Sequence, residues 1–137
     1  MNNNLIHTLN QQVRYLNKQL NEQLNKHGLY HSQWLILYCL HTYGPMTQTE
    51  IWMYLNVEAP TVTRTLKRME DNGWVKRTKG KDKRERLISL TETARVQYVE
   101  IEQSVQEFER KILQKITKQD HDNLLLLIKR LGSDGGK

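Results

Sequence analysis

The sequence predicts a mainly α, α+β domain in which long helices at both ends enclose two short helices and a β-hairpin. Three observations predict it. Apolar residues recur at spacings of three and four near both termini, as a helix that buries one face requires. Within the chain, glycines and prolines mark apparent element ends at Gly28, Gly44, Pro45, Pro60 and Gly73, and only the tail "GSDGGK" reads as frayed. After Gly73 come two short strand-like segments around a basic, glycine-containing tip.

At the N-terminus, Leu5, Leu9, Val13, Leu16, Leu20 and Leu24 mark one long amphipathic helix that Gly28 ends. A second helix is predicted from Ser32, read as its N-cap, to Tyr43. It is apolar nearly all round, which places it centrally. "GPMT" at 44 to 47 breaks the chain, and "TQTE" at 47 to 50 has capping-box form ahead of a short helix carrying Ile51, Met53 and Leu55. "NVEAP" turns the chain into another helix, 59 to 72, with Pro60 in its first turn. Strands are predicted at 74 to 78 and 86 to 90. Thr91 opens a long helix whose seam is Ala94, Tyr98, Ile101, Val105, Phe108, Ile112 and Ile116. "TKQD" at 117 to 120 caps a last helix with Leu124, Leu127, Ile128 and Leu131. Two short helices followed by a hairpin make a winged helix-turn-helix.

Charge locates the function. The net charge is +6. Residues 1 to 57 carry three Lys/Arg against two Asp/Glu, residues 91 to 137 eight of each, and residues 58 to 90 ten against five. A basic excess confined to one quarter of the chain is the footprint of a polyanion partner. In the helix 59 to 72, Val62, Leu66 and Met69 face the core. Thr61, Arg64 and Arg68 are then turned outward, with Thr63 and Lys67 beside them. Short hydroxyls can meet a base or phosphate, and an Arg can grip guanine through two hydrogen bonds. The wing, 76 to 86, can lay Lys79, Lys81, Lys83, Arg84 and Arg86 along phosphates or push one Arg into a narrow minor groove. Asp82 does not fit a purely electrostatic tip. It is read as shaping the wing by pairing with Arg84 or Arg86.

These residues resemble the MarR family of bacterial winged-helix transcriptional regulators. Asp82-Lys-Arg84-Glu-Arg86-Leu-Ile-Ser-Leu90-Thr91 matches that family's wing, and "PTVTRTLKRMEDNGWVKR" (60 to 77) looks like its recognition helix and first wing strand. Glu58 stands where the family often has a Ser or Thr cap, and Ala94 where a Gly is common. The resemblance implies a homodimer on double-stranded DNA and places small aromatic effectors between the dimer helices and the DNA-binding part. Around that junction lie Tyr30, Trp34 and Tyr38, with Arg14 as a partner for an anionic effector. Ordinary core packing is the competing reading for aromatic residues on a central helix.

The expected organisation is one domain, 1 to 137, with the winged helix-turn-helix at about 32 to 90. Dimerisation helices at about 4 to 27 and 91 to 131 carry more apolar seam than one chain can bury. A repressor that occupies a promoter is the expected activity. A winged-helix adaptor for an acidic protein partner is the alternative. No glycine-rich phosphate loop is present and no cofactor is expected, so an enzyme is not expected. His27 and His31 are four apart, but Gly28 separates them, and no metal is expected. Cys39, amid "LILYCL", reads as an inert buried thiol. The polar N-terminus and the lack of a membrane-length apolar run point to a soluble, cytoplasmic protein.

Overall fold

The computed structural model describes residues 4 to 82 and 84 to 132. The chain runs α1 (Leu5–Leu24), a 3-10 turn (Asn25–His27), α2 (His31–Tyr43), β1 (Met46–Thr47), α3 (Gln48–Leu55) and α4 (Ala59–Asp71). It continues with β2 (Val75–Lys79), β3 (Arg86–Leu90), α5 (Glu92–Leu113) and α6 (Lys118–Leu131). No helix among the described residues is long and apolar enough to cross a membrane.

The helix ends follow side-chain chemistry. Asn4 Oδ1 accepts from the backbone N–H of His7 at 3.0 Å and starts α1. The left-handed backbone of Gly28 (φ +76°) closes the turn after it, a conformation a Cβ would strain. In the capping box of α3, Thr47 Oγ1 accepts from Glu50 N at 3.1 Å while Glu50 Oε1 accepts from Thr47 N at 2.9 Å. Thr117 and Asp120 form the same reciprocal box at α6, whereas Thr91 caps α5 through Ala94 N alone. Glu58 makes no side-chain cap on α4, which relies on Pro60 in its first turn.

Two expectations are corrected. The second helix begins one residue before Ser32, with Tyr30 as its N-cap, because Gln33 Oε1 reaches back to the Tyr30 N–H at 3.0 Å. The segment read only as a break at 44 to 47 contains β1, which pairs antiparallel with β3 (Met46 opposite Ile88). The sheet order is therefore β1-β3-β2 rather than a lone hairpin. β2 and β3 pair with Val75 opposite Leu90 and Lys79 opposite Arg86.

The core joins all three parts of the fold. Leu24 and Leu29 from the first segment, Ile36, Leu37 and Cys39 from α2, and Ile51 from α3 are almost wholly buried. With them are Val62, Leu66 and Met69 from α4, Ile88 from β3, and Tyr98 and Ile101 from α5. Removing this apolar surface from water is what holds α4 against the scaffold. By contrast, α6 has no buried residue.

Candidate nucleic-acid interface

Helix α4 offers a basic outer face because its core positions fall at i, i+4 and i+7. With Val62, Leu66 and Met69 inward, Thr63, Arg64, Lys67 and Arg68 are exposed, while Thr61 is half-buried. Thr61, Arg64 and Arg68 line a hollow of about 320 Å³ that they share with Tyr30, Ser32, Gln33 and Thr65. That hollow brings the start of α2 beside two guanidinium groups, a place suited to a backbone phosphate. Ser32 and Gln33 were not legible as part of this face, because only the fold brings them beside α4.

Thr63 lies on the other flank of α4 and is held from within the protein. Its Oγ1 donates to Ala59 O at 3.0 Å and accepts from Gln48 Nε2. Gln48 Oε1 in turn accepts from Arg77 Nη1 at 3.4 Å, and Arg77 Nε pairs with Glu70 Oε1 at 3.4 Å. This chain of side chains ties both ends of α4 to the first turn of α3 and to β2. Sequence reasoning passed over Gln48 and Arg77, whose partners are 15 and 29 residues away.

In the wing, Lys79, Lys81, Arg84 and Arg86 are exposed, and Lys83 lies outside the described residues. Asp82 shapes the tip through the backbone. Its Oδ1 accepts from the Arg84 N–H at 3.1 Å, and its carbonyl accepts from Glu85 N at 2.9 Å. Among the described residues it forms no ion pair with the side chain of Arg84 or Arg86, so the expected charge pairing is replaced by an Asx-type turn.

The four residues expected around an effector crevice do not converge. Trp34 and Tyr38 line a cavity of about 440 Å³ with Leu35, Glu102, Val105, Gln106 and Glu109. Trp34 stacks on Tyr98 at 5.5 Å between ring centroids. Tyr30 opens instead onto the hollow beside α4, and Arg14 is exposed on α1, outside the lining of the Trp34–Tyr38 cavity. The cavity is therefore aromatic and acidic, and burial raises the Glu109 carboxyl above its usual range. Cys39 is fully buried, with burial pushing its thiol up to about 11. His27 bonds Ser104 at 2.8 Å, and no cluster of three metal-ligating side chains occurs among the described residues.

Comparison with known proteins supplies the family. The MarR family model matches residues 29–85. An uncharacterised HTH-type transcriptional regulator of Bacillus subtilis (strain 168), YwoH, is 55% identical over 122 residues, 89% of each chain. The chain belongs to the MarR family. The transcriptional regulator PA4135 superposes with a TM-score of 0.85 at 26% identity, covering 96% of this chain and 97% of that one. A mutant MarR from E. coli complexed with operator DNA gives 0.81 at 28% identity, covering 93% and 90%. This MarR-family chain is thus a DNA-binding transcriptional regulator rather than an enzyme, and its winged helix is the family's fold.

Proposed function

We propose that the protein is a homodimeric, cytoplasmic repressor that binds a pseudo-palindromic operator. In this reading residues 32 to 90 read DNA, and residues 4 to 27 and 91 to 131 dimerise. Arg64, Lys67 and Arg68 of α4, with Thr61 and Thr63, enter the major groove. Lys79, Lys81, Lys83, Arg84 and Arg86 of the wing follow phosphates or an adjacent minor groove. The observation that carries this is the set of exposed basic side chains on α4 and on the wing, borne on a domain like that of a relative complexed with operator DNA. The twofold partner is supported by the uncovered apolar side chains of α6, from Leu124 to Ile128 and at Leu131. Of the two kinds of effector expected, an aromatic one suits the cavity at Trp34 and Tyr38. Glu102 and Glu109 disfavour an anion there.

The test is selection from random duplexes at about physiological salt, where non-specific phosphate binding is partly suppressed. An enriched inverted repeat with half-sites about one helical turn apart supports the proposal. Equal retention of all sequences by a folded dimer overturns it and favours the adaptor with an acidic protein partner.

A further inference from the structure

We propose that Thr63 reads a thymine through its methyl group, with Gln48 and Arg77 as the positioning residues that hold it in that orientation. The inference rests on the proposed DNA-reading role of α4 and concerns what that helix recognises.

A threonine hydroxyl has one proton to donate and two lone pairs. The proton of Thr63 is committed to the Ala59 carbonyl, one turn back along the helix, at 3.0 Å. One lone pair receives the Gln48 amide. That amide is itself oriented, because Arg77 Nη1 donates to its oxygen at 3.4 Å and so leaves its N–H₂ group for Thr63. Arg77 is anchored by Glu70 at 3.4 Å. The hydroxyl therefore cannot donate to a base acceptor without breaking this chain. Thr63 is nonetheless exposed on the N-terminal half of α4, where a recognition helix meets base edges. The remaining branch of its Cβ is a methyl group. Among the four bases only thymine carries a methyl at the major-groove edge, and a threonine methyl against it is a recognised apolar contact.

Uracil keeps the hydrogen-bonding pattern of thymine and lacks only that methyl, so it isolates the contact. Each thymine of the selected half-site is replaced in turn by uracil, and binding is titrated. The expected result is one position per half-site where the exchange weakens binding about fourfold, the worth of one buried methyl group. Thr63→Ser, which keeps the hydroxyl and loses the methyl, should bind thymine and uracil alike at that position. Thr63→Val, which keeps the methyl, should retain the preference. Gln48→Ala should reduce the preference in the parent protein but leave it intact in Thr63→Val, where no hydroxyl needs holding. Thermal melts establish that each variant is folded. A clear operator in which no exchange to uracil matters, or a Thr63→Ser variant that still distinguishes the two bases, overturns the thymine readout alone. Absence of any enriched sequence overturns the regulator reading and this inference together.

Discussion

The exposed face of α6 makes the strongest quantitative demand on the proposed dimer. Leu124, Leu127, Ile128 and Leu131 fall at i, i+3, i+4 and i+7 and are 49%, 52%, 44% and 56% exposed. Fully burying a leucine is worth about 1.5–3 kcal/mol. A side chain that is already half-covered can gain about half of that at an interface. Leu127→Ala removes most of this side chain and so forfeits about 1 kcal/mol per protomer. A twofold interface counts the loss twice, giving about 2 kcal/mol, or a roughly thirtyfold rise in the dimer dissociation constant. The folded protomer should not suffer, because α6 has no buried residue. Sedimentation velocity across a dilution series measures the constant, with circular dichroism confirming the helix content. Met53→Ala is the control: Met53 is 65% exposed on α3, outside the helices proposed to dimerise, so dimerisation should not change. A wild-type protein that sediments as a monomer at all concentrations refutes the reasoning, as does Leu127→Ala with an unaltered constant.

Further expectations concern DNA binding and the core. Arg64→Ala should cost about 1–3 kcal/mol on the operator and relax specificity at one base pair, whereas equal losses on operator and random DNA would remove its base-reading role. Lys81→Ala should weaken all sequences alike and flatten the salt dependence by about one unit, read from titrations at several ionic strengths. Cys39 should resist alkylation in the native protein below about pH 9 and react fully in urea, since only the thiolate attacks. Its folded pKa, pushed up to about 11, lies above the unfolded value. The stability it contributes is therefore complete below the unfolded pKa and is lost as pH rises toward the folded one. Tyr98→Phe should hold or raise the melting temperature, because the Tyr98 hydroxyl is buried and finds no hydrogen-bond partner among the described residues. A loss above about 1 kcal/mol would show that the hydroxyl is satisfied after all, by the neighbouring Glu102 carboxylate.

What was legible in the sequence was whatever depends on neighbours along the chain. Thr47 with Glu50, Thr91 with Ala94 and Thr117 with Asp120 act across three residues, and Gly28 ends its helix through its own backbone. The seam of α5 was read correctly from Ala94 to Val105, because helical periodicity is set locally. Ile116 falls beyond the helix, which ends at Leu113. What escaped depends on partners far away in sequence. Two residues, Met46 and Thr47, are too few to show strand alternation, and β1 exists only because β3 is there to pair with it. Arg77 was not among the expected site residues, and only the fold places it between Glu70 and Gln48. The expected Asp82 ion pair was the reverse case, where a backbone N–H two residues away satisfied the carboxylate first.

The same network bears on how the proposed regulator could be switched. Thr91 caps α5 through Ala94 N at 3.1 Å and also donates to the Gly73 carbonyl at 2.7 Å. One hydroxyl thus fastens the start of a proposed dimerisation helix to the turn that ends α4. Further along α5, Glu102, Val105 and Glu109 form one wall of the cavity that Trp34 and Tyr38 complete. A ligand wedged there would press α5 away from α2. Because close-packed elements shift as bodies rather than bend, the displacement would reach α4 through Thr91. In a twofold dimer that displacement occurs twice and in opposite directions. It would change the separation of the two recognition helices, while operator DNA demands a half-site spacing near one turn. The Arg77–Gln48 chain would meanwhile keep wing and recognition helix moving together. Ligand occupancy should then alter operator affinity without altering the preference for thymine at Thr63, because the first depends on spacing between protomers and the second on geometry within one.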